Sequence, residues 1–273
     1  MNPPPTITHL AARETFRSLA LRQGHDPDGV WTGGYVDYEW EHARHVFESR
    51  GAALAGARVL EFGCNLGATS IVLAACGATV TGVDVSLASV DLARANAACY
   101  QVSGSVEFIH VPDTRALPFA AQEFDFISCN SVLEYVPPPL LPAVQQEIDR
   151  TLKIGGVIYI TGTSNRLAPR EVQSQKWLTN YLPRAWDTVL FRGRSIQRGV
   201  FPHQIRRGFG DYENLDWIDG GAGFLESRRR MGMSRAKLAL LATANRLLHP
   251  LGLTVGLITP SLSVTLRKRS ATA

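Results

Sequence analysis

Short apolar runs alternate with amphipathic stretches along much of this chain. Amphipathic stretches predict helices at about Ala68–Cys76, Ser86–Tyr100, Leu140–Leu152 and Ala236–Leu248. Six runs have the length and apolar content of strands, and these are Arg58–Phe62, Thr79–Val83, Val106–Val111, Phe124–Ser128, Val157–Thr161 and Leu262–Leu266. Strands separated by helices indicate a parallel sheet with helices on both faces, and therefore a doubly wound α/β fold.

The segments outside this alternation suggest four regions. Two further helices, at Thr6–Leu21 and Asp37–Leu54, precede the first strand, and residues 164–219 have no clean period. We expect an N-terminal helical cap (1–56), a ligand-binding core (57–163), a substrate-shaping insertion or lid (164–235) and a closing helix and strand (236–273). Long irregular segments of this kind are usually functional or disordered.

A glycine-bearing loop follows the first predicted strand. Residues 59–68 read Val-Leu-Glu-Phe-Gly-Cys-Asn-Leu-Gly-Ala, so Glu61 stands at the strand end and Gly63 and Gly67 lie in the loop. Such a loop lets a ligand approach free backbone N–H groups. The dinucleotide fingerprint would be G-x-G-x-x-G, and Glu61 would repel a pyrophosphate. The loop therefore favours a ligand that carries an ammonium group and no phosphate.

Four segments in order resemble the class I S-adenosylmethionine-dependent methyltransferases. They are residues 59–67, Gly-Val-Asp at 82–84, Asp-Thr-Arg-Ala-Leu-Pro-Phe at 113–119, and Leu-Lys-Ile-Gly-Gly-Val-Ile-Tyr at 152–159. The chain is most similar to the ubiquinone/menaquinone-biosynthesis group, over about residues 57–161 and the final strand. The resemblance implies a Rossmann-like, mostly parallel seven-stranded sheet with an N-terminal helical cover, a lid insertion after strand five, and S-adenosylmethionine as cofactor.

The resemblance also implies roles for particular residues. Glu61 would orient the ammonium group, Asp84 would accept from the ribose hydroxyls, and Asp113 would receive the adenine amino group. Asn65 replaces the glycine common in the family, and asparagine tolerates a left-handed backbone best among the other residues. The full set of expected cofactor-binding residues is Glu61, Gly63, Asn65, Gly67, Asp84, Val85, Asp113, Thr114, Asn130 and Tyr35.

The aromatic residues before and within the second predicted helix have two readings. They belong either to the core under that helix or to a cover over the sulfonium, which aromatic faces attract. Tyr35 and Tyr38 are the best candidates for the cover. The whole set is Trp31, Tyr35, Tyr38 and Trp40.

Methyl transfer to a hydroxyl usually needs a base, whereas a carboxylate acceptor needs none. Glu134 follows the fourth strand, and His203 lies in the irregular segment, so both are candidate catalytic residues. His110, inside the third strand, reads better as a core histidine. No cluster has metal-ligand spacing, so we expect no metal site.

Charge is divided unevenly along the 273 residues. Residues 1–163 carry 10 basic and 17 acidic side chains, whereas residues 164–210 carry 9 and 2. Arginine suits carboxylate and phosphate groups, so this basic segment suggests an anionic acceptor. The alternative is a solvated basic lid. The basic residues are Arg166, Arg170, Lys176, Arg184, Arg192, Arg194, Arg198, Arg206 and Arg207, and they surround Trp177, Tyr181, Trp186, Phe191 and Phe201.

We therefore predict a cytoplasmic methyltransferase that acts on a small anionic or amphiphilic molecule, with O-methylation favoured. The four cysteines read as buried free thiols, and no apolar run is long enough to span a bilayer. Peripheral membrane contact and the oligomeric state stay open. The alternatives are an RNA methyltransferase, suggested by the isoelectric point near 9.0, and an inactive S-adenosylmethionine-binding regulatory or scaffold protein.

Overall fold

A single seven-stranded sheet organises the chain. The computed structural model describes residues 3–183, 186–190 and 198–269. The strands are β1 (Arg58–Phe62), β2 (Thr79–Asp84), β3 (Val106–His110), β4 (Phe124–Asn130), β5 (Leu152–Ser164), β6 (Tyr212–Asn214) and β7 (Ser261–Lys268). They lie in the order β3-β2-β1-β4-β5-β7-β6. Only β7 runs antiparallel to its neighbours β5 and β6, which matches the mostly parallel sheet that we predicted.

Ten α-helices within the described residues surround the sheet. They are α1 (Leu10–Arg22), α2 (Tyr35–Glu48), α3 (Ala68–Ala75), α4 (Leu87–Ala97), α5 (Leu141–Thr151), α6 (Asp187–Leu190), α7 (Pro202–Gly208), α8 (Leu215–Ile218), α9 (Ala222–Arg230) and α10 (Arg235–Leu248). None of the described helices is long and apolar enough to cross a membrane.

Both faces of the sheet are covered by apolar packing. On one face, Phe16 of α1 and Trp40 of α2 share a buried cluster with α3 and α4. On the other, Ile148 of α5 and Ile205 of α7 pack on β4, β5 and β7. Because β1 lies between β2 and β4 and is covered on both faces, four of its five residues are buried, and Glu61 is one of them.

The strand order reverses between β1 and β4. From β1 the chain adds β2 and β3 on one side of the sheet, and from β4 it adds β5 on the other side. In doubly wound sheets a ligand binds beyond the carboxyl ends of the strands at this point. Phe62 ends β1 and Asn130 ends β4, so the glycine loop and Asn130 meet at the same edge.

Several predicted boundaries were wrong. Helix α2 ends at Glu48 instead of Leu54, because Gly51 takes a left-handed φ of 63° and Ala52 N–H bonds back to Phe47 O. Helix α1 begins at Leu10 instead of Thr6. The range 164–235, predicted as an insertion, contains the edge strand β6, so the sheet resumes at Tyr212.

The segment between β5 and α7 is anchored to the sheet edge by asparagine side chains. Asn165 Nδ2 donates to the carbonyls of Leu257 and Thr259, each over 2.9 Å. Asn180 Nδ2 donates to Ala168 O over 2.8 Å. These buried amides satisfy carbonyls that a loop would otherwise leave unpaired.

Candidate functional site

The loop between β1 and α3 has the left-handed backbone that its sequence predicts. Gly63, Asn65 and Gly67 have φ values of 79°, 46° and 74°. Asn65 therefore occupies the glycine position without a change of conformation. Its backbone N–H donates to Asp84 Oδ2 over 2.9 Å, which fixes the loop to the end of β2.

A cavity of about 870 Å³ opens at the carboxyl ends of β1, β4 and β5. It is lined by the glycine loop and Asn130 together with residues of α2, α9 and the segment after β5. A volume of this size suits a cofactor and a small acceptor together. Its walls include Trp31, Tyr35, Tyr38, Glu39, His42, Glu61, Gly63, Cys64, Asn65, Thr69, Asn130, Tyr135, Gly162, Val172, Gln173, Arg228, Met231 and Ser261.

Two buried carboxylates face this cavity. Glu39 of α2 and Glu61 of β1 are each only 3% exposed. Burial raises the pKa of Glu39 to about 7 and that of Glu61 to about 8, and Glu39 adds to the shift of Glu61. Glu61 accepts from Ser70 Oγ, and Glu39 from Asn130 Nδ2 over 3.2 Å. Within the described residues neither carboxylate has a cationic partner, so a ligand cation would stabilise both.

Aromatic side chains form one wall of the cavity. The Trp31 ring packs edge-on against Tyr35 and Tyr38, with centroids 5.8 and 4.8 Å away. The imidazole of His42 stacks on Tyr38 at 3.9 Å. Trp40, in contrast, is buried in the core. The structure thus assigns the cavity wall to Trp31, Tyr35 and Tyr38, and the core to Trp40.

Arg228 of α9 contributes a positive charge to the same cavity. Its Nη2 donates to Ser263 Oγ over 3.0 Å, and its guanidinium lies 4.9 Å from the Phe224 ring centroid. Burial lowers its pKa, while Tyr38 and Asp216 oppose that shift. No ion pair joins Arg228 to a carboxylate in the part of the chain that the structure describes, so its guanidinium is available to a ligand anion.

Other expected cofactor residues lie outside the cavity wall. Asp84 uses both carboxylate oxygens for the backbone N–H groups of Asn65 and Ser86, each at 2.9 Å. Asp113 is on the surface, where a hydrogen-bonded ion pair with Arg115 lowers its pKa to about 2. Val85 is exposed, and Thr114 is half-buried. The roles of these four residues stay predictions.

The candidate bases lie apart from the cavity. Glu134 is buried, and its Oε1 accepts from Gln173 Nε2 over 3.3 Å, so Gln173 and not Glu134 reaches the wall. Burial raises the pKa of Glu134 to about 7. His203 is exposed on α7 beside Phe201. His110 bonds Val85 O over 3.1 Å outside the cavity. None of the three lines the cavity, and the catalytic roles of Glu134 and His203 stay predictions.

The basic segment does not surround the cavity either. Arg198 is buried against Asp187 at 2.6 Å, and Arg166 lies over the Phe201 ring at 5.1 Å. Arg184, Arg192, Arg194 and Phe191 lie outside the described residues. None of the described basic residues between 164 and 210 lines the cavity. The sequence argument for an anionic acceptor therefore lacks support at this segment.

His42 and Arg228 were not among the candidates that we took from the sequence. His42 follows Tyr38 by four residues and Tyr35 by seven, which places all three on one face of α2. That spacing was a usable signal. Arg228 had no comparable signal, because α9 packs beside α2 only through long-range contacts such as the 3.1 Å ion pair of Arg230 and Glu48.

Comparison with known proteins tests the fold and the family. A profile described as a methyltransferase domain matches residues 59–156. The ubiquinone biosynthesis O-methyltransferase of Aromatoleum aromaticum is 42% identical over 93 residues, which cover 33% of this chain and 38% of that protein. Residues 59–156 therefore form a methyltransferase domain, of the class I S-adenosylmethionine-dependent kind that the sequence predicts.

The ubiquinone biosynthesis O-methyltransferase of Erwinia tasmaniensis is 29% identical over a region that covers 78% of this chain and 79% of that protein. Seven further matches between this chain and ubiquinone biosynthesis O-methyltransferases, the Aromatoleum enzyme included, each cover about half of the relative's length, from 38% to 63%. The crystal structure of the [4+2]-cyclase SpnF matches with a TM-score of 0.53 and 19% identity, over 95% of this chain and 97% of that one. That likeness shows the fold alone.

The predicted family and fold class are therefore confirmed, and S-adenosylmethionine is the cofactor of this class. The cavity fits that cofactor by its chemistry, because two buried carboxylates that lack a cationic partner within the described residues stand beside a glycine loop and would balance an ammonium and a sulfonium. No group of His, Cys, Asp and Glu among the described residues could hold a metal ion.

Proposed function

We propose that this protein is an S-adenosylmethionine-dependent methyltransferase that methylates an oxygen of a small anionic or amphiphilic molecule. The single observation that supports this most is the pair of buried carboxylates, Glu39 and Glu61, in a cavity that begins at the glycine loop. O-methylation is favoured because the relatives at 42% and 29% identity are named as O-methyltransferases.

The cofactor would occupy the end of the cavity that the sheet forms. Glu61 and Glu39 would balance its positive charges, and the backbone of Gly63 and Cys64 allows close approach. Asn130 would orient the methionine part through its amide. When bound, S-adenosylmethionine supplies a methyl group already activated by the sulfonium.

The acceptor would occupy the end formed by α2 and α9. Arg228 supports an acceptor with a carboxylate or phosphate, since it lines the cavity and has no carboxylate ion pair within the described residues. Trp31 and Tyr38 provide apolar surface, which suits an aromatic or amphiphilic body. We thus place the anionic group on Arg228 and not on the basic segment after β5.

The alternatives receive less support. An RNA substrate would be expected to contact a basic surface around the site, and the described basic side chains of the segment after β5 lie away from the cavity. The similarity to a cyclase shows that this fold serves other reactions, so a cofactor-binding protein without methyl transfer is the second outcome to test.

The cysteines are free and three of them are buried, which accords with the predicted cytoplasmic location.

Calorimetry and mass spectrometry test the proposal together. We expect S-adenosylhomocysteine to bind, and a metabolite extract incubated with methyl-labelled S-adenosylmethionine to yield one labelled product. Glu61→Gln should weaken cofactor binding, whereas the matched control Glu107→Gln, at an exposed carboxylate of β3, should not. Binding without any labelled product would favour the inactive alternative, and no binding at all would refute the assignment.

A further inference from the structure

Helix α2 presents four chemically active side chains to the cavity. Tyr35, Tyr38, Glu39 and His42 are spaced by three and four residues, so they occupy one face of the helix. Tyr35 and Glu39 already have hydrogen-bond partners, because Glu39 accepts from the Tyr35 hydroxyl and from the Asn130 amide. His42 also lines the cavity, one turn after Tyr38.

A backbone carbonyl sets the protonation pattern of the His42 ring. Nδ1 lies 2.7 Å from Tyr38 O, and a carbonyl oxygen can only accept a hydrogen bond. Nδ1 therefore carries the proton in the neutral ring, and Nε2 keeps its lone pair. The parallel Tyr38 ring, 3.9 Å away at an interplanar angle of 14°, fixes the imidazole plane.

The other titratable groups of the cavity are less suited to take a proton from an acceptor. Glu61 accepts from Ser70, and Glu39 accepts from Tyr35 and Asn130, at the end of the cavity nearest the glycine loop. The other titratable or charged groups that line the cavity with His42 are Tyr35, Tyr38, Glu39, Glu61, Cys64, Tyr135 and Arg228. His42 differs from them because Nε2 of its neutral ring has a lone pair for which the described residues show no hydrogen-bond partner.

We propose that His42 is the general base of this protein, and that its Nε2 removes the proton from the acceptor hydroxyl. This inference rests on the proposed function. The oxygen keeps its electron pair and forms the new bond to the methyl carbon, while the electrons of the methyl–sulfur bond stay on sulfur. The imidazolium then returns the proton to water. An anionic group held by Arg228 would turn the acceptor hydroxyl toward His42.

The tautomer can be tested without knowing the acceptor. In ¹⁵N-labelled protein with S-adenosylhomocysteine bound, nitrogen NMR of the neutral His42 ring should show Nδ1 protonated and Nε2 without a proton. His42→Gln assigns the signal by its loss. A ring protonated at Nε2 would overturn the proposal regardless of the outcome of any activity assay.

Kinetics test the proton transfer itself. With a series of hydroxybenzoates as probes, we expect His42→Ala to lower kcat by about 100-fold or more, the usual scale of general base catalysis. The acidic limb of the wild-type pH–rate profile should disappear in the variant, and added imidazole should restore part of the rate. The control His25→Gln, at an exposed histidine, should behave as wild type.

The outcomes separate this inference from the proposed function. If wild-type protein transfers methyl groups and His42→Ala does so at the same rate with the same pH profile, His42 is not the base and the proposed function stands. If wild-type protein binds S-adenosylhomocysteine but methylates neither the hydroxybenzoates nor any component of the extract, the proposed function fails and the role of His42 fails with it.

Discussion

Asn130 at the end of β4 donates a 3.2 Å hydrogen bond to Glu39 of α2, which joins the N-terminal helices to the centre of the sheet. The same amide nitrogen lies 3.3 Å from Thr69 Oγ1, and its oxygen accepts from Thr161 Oγ1 over 3.1 Å. One side chain thus connects four elements around the cavity. The donor also partly compensates the buried carboxylate of Glu39.

Replacement of this amide by a carboxylate should destabilise the protein. Asn130→Asp removes the donor and places a second negative charge against Glu39. We expect a loss of about 1–3 kcal/mol in the free energy of unfolding at pH 8, and a smaller loss at pH 5, where carboxyls can be protonated. Urea unfolding at both pH values measures this. Asn214→Asp is the matched control, because Asn214 caps α8 and aspartate caps equally well. Equal losses in the two variants would contradict the argument.

The raised pKa values of Glu39 and Glu61 predict how stability depends on pH. Both rise from the ordinary 4.5, to about 7 and about 8, because burial disfavours the charged form. The folded protein therefore binds more protons than the unfolded chain between pH 4.5 and 8. The unfolding free energy of the ligand-free protein should fall as pH rises through this window, and level off above it. Each pKa unit corresponds to about 1.4 kcal/mol.

Denaturant unfolding at intervals from pH 5 to pH 8.5 measures this decline. Glu39→Gln removes one of the two groups, so its decline should be shallower, whereas Glu107→Gln should leave the slope as it is in the wild type. Saturating S-adenosylmethionine should reduce the decline, since its cationic groups favour the charged carboxylates. An equal slope in Glu39→Gln and the wild type would show that folding does not raise the pKa of Glu39.

The sequence carried enough information for the sheet and for the cofactor end of the site. The loop at 63–67 could be interpreted because left-handed backbone needs glycine or asparagine, a local requirement. Ser86, the first residue of the helix predicted at 86–100, is the N-cap of α4, and its Oγ accepts from Ser89 N–H. A central strand such as β5 shows as a continuous apolar run, Val157–Ile160, because both faces of the strand are covered.

The acceptor end could not be predicted, because tertiary packing creates it. Arg228 meets Tyr38 across 190 residues of sequence, and no local pattern marks that contact. Strand β6 has only three residues, too few to show alternation. The charge of the basic segment did not indicate the acceptor site, because composition does not reveal which charged side chains are paired with each other. Arg198, for example, forms an ion pair with Asp187.

Gly67 is a residue of the loop at which a side chain should be poorly tolerated. It has a φ of 74°, and an added Cβ would lie 2.6 Å from Phe108 Cζ. Gly56 has nearly the same φ, 76°, but open space around it. Gly56→Ala should cost about 1–2 kcal/mol of unfolding free energy from backbone strain alone. Gly67→Ala should cost about 1–3 kcal/mol more from overpacking. Urea unfolding at one pH compares them, and equal costs would show that Phe108 moves freely aside.

The role of Arg228 predicts a loss that depends on the charge of the acceptor. Once the labelled product identifies the acceptor, Arg228→Met should raise its KM by roughly 10- to 100-fold, since hydrogen bonds to charged groups contribute about 1.5–3 kcal/mol. Arg228→Lys keeps the charge but loses the planar fork, so its effect should be intermediate. Cofactor affinity by calorimetry should not change.

Two comparisons make the Arg228 test specific. Arg229→Met alters an exposed neighbour paired with Glu226, and it should leave KM unchanged. A neutral analogue, such as the methyl ester or amide of the acceptor, should show nearly the same KM with wild type and Arg228→Met, because it has no anion for the guanidinium to bind. If Arg228→Met weakens the neutral analogue as much as the anion, Arg228 supports the fold of α9 through Ser263 and Phe224, and the anionic group binds elsewhere.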